Sequence, residues 1–131
     1  KINHMSRLLF TFFFFVFSCS FFTPEINFIS DLNDIEEDEY ILIDVRTSDE
    51  YQSGFIQDAI NIDFYSEMFN SDILSFDKDS KIILYCRTNN RSAKSANLLL
   101  NNGYRDINVI EGGITSWVMS GNDIEYSSIK D

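Results

Sequence analysis

Two stretches of this chain, Tyr40-Ile41-Leu42-Ile43-Asp44-Val45 and Lys81-Ile82-Ile83-Leu84-Tyr85, are nearly unbroken apolar runs rich in β-branched residues. A strand with one face in water alternates apolar and polar side chains. A strand without that alternation has to be covered on both faces, as in a parallel sheet packed between helices. The segments around these runs agree with that architecture. Ser48-Asp49-Glu50-Tyr51 begins like a helix, with Ser48 placed to cap it and Gly54 to end it. Ala59 to Ile62 reads as a short strand and Tyr65 to Leu74 as a weak helical stretch. Ser92 to Asn102 carries Ala93, Ala96, Leu99 and Leu100 on one side and stops at Gly103, the pattern of an amphipathic helix. Ile26 to Ile29 and Ile107 to Ile110 are further strands, and Gly112-Gly113 opens a last helix that carries Trp117 and ends at Gly121. Strands alternating with helices specify an α/β domain with a mostly parallel central sheet flanked by helices.

Composition removes several classes of function. The 131 residues leave room for one domain and a short extra segment, and 44% apolar content is enough for a core. A formal net charge of −11 leaves no basic footprint for nucleic acid, so no nucleic-acid partner is expected. The single histidine, His4, precedes the strand and helix pattern. Without a histidine in the domain, Ser-His-Asp and Cys-His catalysis and most zinc sites fall away, and neither a metal nor a cofactor is expected.

The front of the chain reads as an export segment. Leu8 to Phe17 is apolar and uncharged, follows Lys1 and Arg7, and is too short to span a bilayer comfortably, as in the hydrophobic region of a secretory signal. Val16-Phe17-Ser18-Cys19-Ser20 follows directly. It resembles the lipobox of bacterial lipoproteins, with Cys19 as the lipidated residue. Three outcomes stay open at this point: a lipidated Cys19, ordinary signal cleavage that releases a soluble protein, and an uncleaved anchor. Residues 1–22 are accordingly read as the export segment and 24–131 as the domain. The expected location is the periplasm, or a membrane-anchored lipoprotein of a bacterium.

Cys86 is where chemistry is expected. It stands at the carboxyl end of a buried strand, the place where open parallel sheets bind ligands. Arg87-Thr88-Asn89-Asn90-Arg91-Ser92 follows and leads into a helix. A tight strand-loop-helix turn directs successive backbone N–H groups inward, and such a nest at a helix N-terminus stabilises an anion. A thiolate is such an anion, and Arg87 and Arg91 add positive charge beside it. The competing reading, in which Cys86 is simply a small apolar core residue, is at odds with its arginine-flanked loop.

The string Cys86-Arg87-Thr88-Asn89-Asn90-Arg91-Ser92 resembles the active-site loop of single-domain rhodaneses, the thiosulfate or thiol sulfurtransferases. Other motifs match in order. Leu42-Ile43-Asp44-Val45-Arg46 with Asp49-Glu50-Tyr51, then Gly54-Phe55-Ile56 and Ala59 to Ile62, are similar to the first signature. Gly103-Tyr104, Val109 to Ile114 and Trp117 resemble the closing one. The resemblance implies a rhodanese-like three-layer fold and a sulfurtransferase that moves a sulfane sulfur through a Cys86 persulfide to a thiol or cyanide acceptor. Its partners are then a small-molecule sulfur donor and a thiol. The alternative is a persulfide carrier or binding module of the same fold that does not turn over. Four residues separate Cys86 from Arg91, one fewer than in the related phosphatases, which suits a single sulfur atom rather than a phosphate.

The same resemblance implies roles around the loop. Arg87, Thr88, Asn89, Asn90, Arg91 and Ser92 form the substrate cradle. Arg46 and Glu50 pair as an ion pair beneath it, Asp44 and Asn61 bond backbone nearby, and Trp117 belongs to the core. The chain departs from the family pattern at three positions. Asn89 stands where the loop usually has glycine, and is expected to take the left-handed conformation with its side chain over the mouth of the loop. Phe55 replaces a common histidine and Asp58 a common glycine, both in a surface turn.

Overall fold

The computed structural model describes residues 23–35 and 39–127. The apolar run Leu8 to Phe17, His4 and Cys19 lie outside the described residues. Five strands form one sheet: β1 (Ile26–Ile29), β2 (Ile41–Asp44), β3 (Ile60–Asn61), β4 (Lys81–Tyr85) and β5 (Asp106–Ile110). Their spatial order is β1-β5-β4-β2-β3, and each neighbouring pair runs parallel. The helices are α1 (Ser48–Gln52), α2 (Phe69–Ile73), α3 (Asn90–Asn101) and α4 (Gly113–Met119), with a 3-10 turn at Leu32–Asp34.

The two apolar runs become β2 and β4, side by side in the middle of the sheet. Successive side chains of a strand point to opposite faces, so each run feeds two cores. Ile43, Ile82 and Leu84 pack with Phe69 and Ile73 of α2 and with Ala96 and Leu99 of α3. Leu42, Ile83 and Tyr85 pack on the other side with Ile114 and Trp117 of α4 and with Tyr51 of α1. The result is the expected three layers.

The boundaries differ from expectation in instructive places. The third strand is only Ile60–Asn61, and the helical stretch after it shrinks to Phe69–Ile73, the segment whose Phe69 and Ile73 are buried. The cap of α1 is Thr47 rather than Ser48: its hydroxyl accepts from the Glu50 N–H while the Glu50 carboxylate accepts from the Thr47 N–H. This reciprocal arrangement satisfies two backbone donors that the first turn of a helix leaves over. Phe55 stacks on Tyr51 at 4.2 Å between ring centroids. Asp58, which stands where the family commonly has glycine, takes a left-handed φ of 63° in its exposed turn.

The connections decide where a ligand fits. From β2 the chain leaves through α1 toward β3, and from β4 it leaves through α3 toward β5 on the other side. The two exits diverge at the carboxyl ends of β2 and β4. This is the switch point at which open α/β sheets bind ligands.

Candidate active site

Cys86 follows β4 directly at this switch point. The residue is buried, and its Sγ lies 3.4 Å from the Ser92 hydroxyl. Arg87, Thr88 and Asn89 form the loop, and α3 begins at Asn90.

The orientation of the loop is set from outside, by the start of α4. The Cys86 carbonyl accepts from the Ile114 N–H at 2.9 Å. The Arg87 carbonyl accepts from the Thr115 N–H and from its hydroxyl, at 3.2 and 2.8 Å. A Cβ added to Gly113 would stand 2.4 Å from the Cys86 oxygen and 2.5 Å from the Thr88 oxygen, so these carbonyls lie flush against a residue that has no side chain. In a trans peptide the N–H points opposite to the C=O. With the carbonyls of residues 86, 87 and 88 turned toward α4, the N–H groups of Arg87, Thr88 and Asn89 are turned away from it. Those of Asn90, Arg91 and Ser92 belong to the first turn of α3, where a helix has no acceptors of its own. Among the described residues none of these six N–H groups has a hydrogen-bond acceptor.

The support beneath the loop is built from β2. Asp44 and Arg46 are buried, and the Arg46 guanidinium holds the Asp44 carboxylate through Nε at 2.9 Å and Nη2 at 2.6 Å. Nη2 also donates to the Gly54 carbonyl at 2.6 Å, and the guanidinium lies over the Tyr85 ring. Burial alone would make the Arg46 cation easier to discharge. The hydrogen bond and charge of Asp44 outweigh it, so the net shift is upward. Burial, together with the Asp44 charge, pushes the Tyr85 phenol well above its ordinary value. Asn61 donates from Nδ2 to the carbonyls of Asp44 and Arg46, each at 3.0 Å, as expected of a residue that bonds backbone near the loop.

The expected pairing of Arg46 with Glu50 is corrected here. Glu50 pairs instead with Arg91, in a fork of two hydrogen bonds at 2.6 and 2.9 Å. The Arg91 guanidinium lies 5.9 Å from the centre of the Tyr65 ring. The Arg91 hydrogen bonds, reinforced by Thr47, overcome burial and hold the Glu50 carboxyl down at about 2, against an ordinary 4.5. Glu50 in turn raises Arg91. This pair ties α1 on one face of the sheet to α3 on the other. It also occupies the guanidinium of Arg91, whereas Arg87 is exposed and has no ion-pair partner among the described residues.

The expectation for Asn89 is corrected as well. Its φ is −140°, not left-handed, and its side chain is not spread over the mouth: Oδ1 accepts from the Gly112 N–H at 3.0 Å. Thr88 and Asn90 are exposed. Trp117 is a core residue whose Nε1 donates to the Asp123 carbonyl. The sequence assigned no site role to Thr47, which acts through its local cap with Glu50, or to Gly54, Tyr65 and Thr115, which meet Arg46, Arg91 and Arg87 through the fold. The pair Gly112-Gly113 was the one visible sign that a backbone passes close by.

A family model for the rhodanese-like domain matches residues 30–120. The chain belongs to the rhodanese-like domain family. Solved rhodanese-like structures superpose on it. One from Staphylococcus aureus aligns with a TM-score of 0.63 and 28% identity, covering 79% of this chain and 99% of that one. A rhodanese-related protein from Thermoplasma volcanium aligns with a TM-score of 0.59 and 31% identity, covering 66% and 84%. Among curated proteins, a tRNA uridine(34) hydroxylase of Hamiltonella defensa is 32% identical over 88 residues, which are 64% of this chain and 25% of the relative. A hydroxylase of the same name from Yersinia pestis is 30% identical over 87 residues, 63% of this chain and 24% of the relative. This rhodanese-like chain therefore spans about a quarter of the length of those relatives.

Proposed function

We propose that this rhodanese-like domain is a sulfurtransferase with Cys86 as its nucleophile. In the first half-reaction the Cys86 thiolate attacks the outer sulfur of an anionic donor such as thiosulfate. The new S–S bond forms as the donor's own S–S bond breaks, sulfite leaves with the electron pair, and a persulfide anion stays on the enzyme. In the second half-reaction cyanide or a thiolate attacks the terminal sulfur, and the Cys86 thiolate is the leaving group. No outside oxidant or general base is required, in keeping with a domain that has no histidine.

The observation that carries this reading is the set of six N–H groups, from Arg87 to Ser92, that have no acceptor among the described residues and adjoin the buried thiol. Backbone donors arranged in advance stabilise an anion at no reorganisation cost, and both the thiolate and the persulfide are anions. Arg87 supplies the free positive charge that attracts the donor, and Arg91, already bound to Glu50, shapes the loop.

The name of the curated relatives supports a link between this domain and tRNA modification, but the matched part is a quarter of those proteins. A net charge of −11 also opposes docking on a polyanion. We therefore propose small thiols or cyanide, rather than tRNA, as the acceptor. The apolar run Leu8 to Phe17 with Cys19 behind it supports export from a bacterial cytoplasm.

Steady-state kinetics with thiosulfate and cyanide test the reading. Parallel lines in double-reciprocal plots, the sign of two separate half-reactions, are expected. A single sulfite burst without turnover would instead assign the domain to persulfide carriage.

A further inference from the structure

Among the side chains of the loop and of the residue that opens α3, Asn89 alone forms a hydrogen bond with the segment that starts α4. We propose that Asn89 is the positioning residue of the Cys86 cradle, fastening the loop to the start of α4 so that its peptide groups keep their orientation. One residue makes both attachments. Its side-chain oxygen accepts from the Gly112 N–H at 3.0 Å, and an N–H can face only the oxygen of an amide side chain. Its backbone carbonyl accepts from the Ala93 N–H at 2.9 Å and from the Ser92 hydroxyl at 3.2 Å. Turning Asn89 away from Gly112 would therefore disturb three hydrogen bonds together. It would also move the hydroxyl that stands 3.4 Å from the Cys86 sulfur.

The Ser92 hydroxyl has one proton. While that proton is held by the Asn89 carbonyl, the serine presents only lone pairs to the sulfur. Asn89 thus sets both the direction of the Asn90 N–H, opposite to its own carbonyl, and what Ser92 offers to Cys86. The other links between the loop and α4 run through loop carbonyls, two of them from the Ile114 and Thr115 N–H groups and one from the Thr115 hydroxyl. Asn89 is the attachment that a mutation within the loop can cut.

The inference rests on the proposed sulfur chemistry only for its biological meaning, so it is tested by readouts that need no sulfur donor. In Asn89→Ala, the Gly112 amide should exchange its hydrogen about tenfold faster and Cys86 should alkylate with iodoacetamide about tenfold more slowly, the range expected for one lost hydrogen bond. Asn89→Asp keeps an oxygen for Gly112. It should retain the protection of that amide, and its alkylation, slowed by the added charge, should recover as salt screens that charge. Wild-type exchange and alkylation in Asn89→Ala would overturn the assignment. Should the alanine variant fail to fold, loss of Gly112 protection in a folded Asn89→Asp would overturn it equally. If both variants behave as expected while the wild type transfers no sulfur, the positioning role stands and the sulfurtransferase reading fails.

Discussion

At the scale of the residue, the two arginines of the loop separate into different tasks. Arg91 is locked in a fork with Glu50, whereas Arg87 is exposed and unpaired among the described residues. Arg87→Ala is therefore expected to raise the KM for thiosulfate with little effect on melting temperature, and high salt should mimic it in the wild type. Arg91→Ala leaves Glu50 without its partner and should lower the melting temperature. Initial-rate and melting curves for both variants check this, and equal effects from the two would contradict it. The identity of these residues was legible in the sequence, but their pairing was not. Arg46 and Glu50 sit four apart, a spacing that suggests a contact only when both lie on one helix. Arg46 precedes α1 and turns down to Asp44, while Arg91 arrives from 41 positions along the chain. Nothing local in the sequence encodes an encounter of that kind.

At the scale of the element, two contacts hold the site together. The Glu50–Arg91 pair joins α1 to α3. Because the Glu50 carboxyl sits at about 2 in the folded protein and at about 4.5 ordinarily, the folded state binds fewer protons between those values. The stability this pair contributes is then complete above about pH 4.5 and is lost as pH falls toward 2. Glu50→Gln should remove that part of the acid sensitivity, visible as a flatter dependence of denaturation midpoint on pH below 5. The second contact is α4 against the loop. Gly113 has a φ of 61° and no room for a Cβ beside the Cys86 and Thr88 oxygens. Gly113→Ala should cost about 1–3 kcal/mol of stability and slow Cys86 alkylation, because the carbonyls that orient the amides must shift. Chemical denaturation and a thiol-labelling rate measure the two effects. Strands β2 and β4 and helix α3 were readable because burial on two faces and an amphipathic period leave strong patterns. The third strand and α2 were overextended because each is only a few residues long, and tertiary contacts rather than local pattern decide where they end.

At the scale of the whole molecule, the sheet order brings the exits of β2 and β4 together, and with them the buried support, the clamp and the thiol. The parallel three-layer architecture followed from strand-helix alternation. The order of the strands did not, since it depends on which crossover passes over which face. The proposed export belongs to this scale as well. If Cys19 is lipidated, the protein should fractionate with membranes of its native host, and Cys19→Ala should release it or block its processing. Recovery of the unprocessed chain in the cytoplasm would contradict that. A lipidated Cys19 would also leave Cys86 as the free thiol, with no internal partner to trap it as a disulfide in an oxidising compartment. The central claim is that Cys86 carries a transferable sulfur, and the intact mass of the protein after brief incubation with thiosulfate tests it most directly. The account predicts a gain of one sulfur atom, absent in Cys86→Ser and discharged by cyanide with return of the original mass. An unchanged mass in the folded wild-type protein, or the same gain in Cys86→Ser, would contradict it.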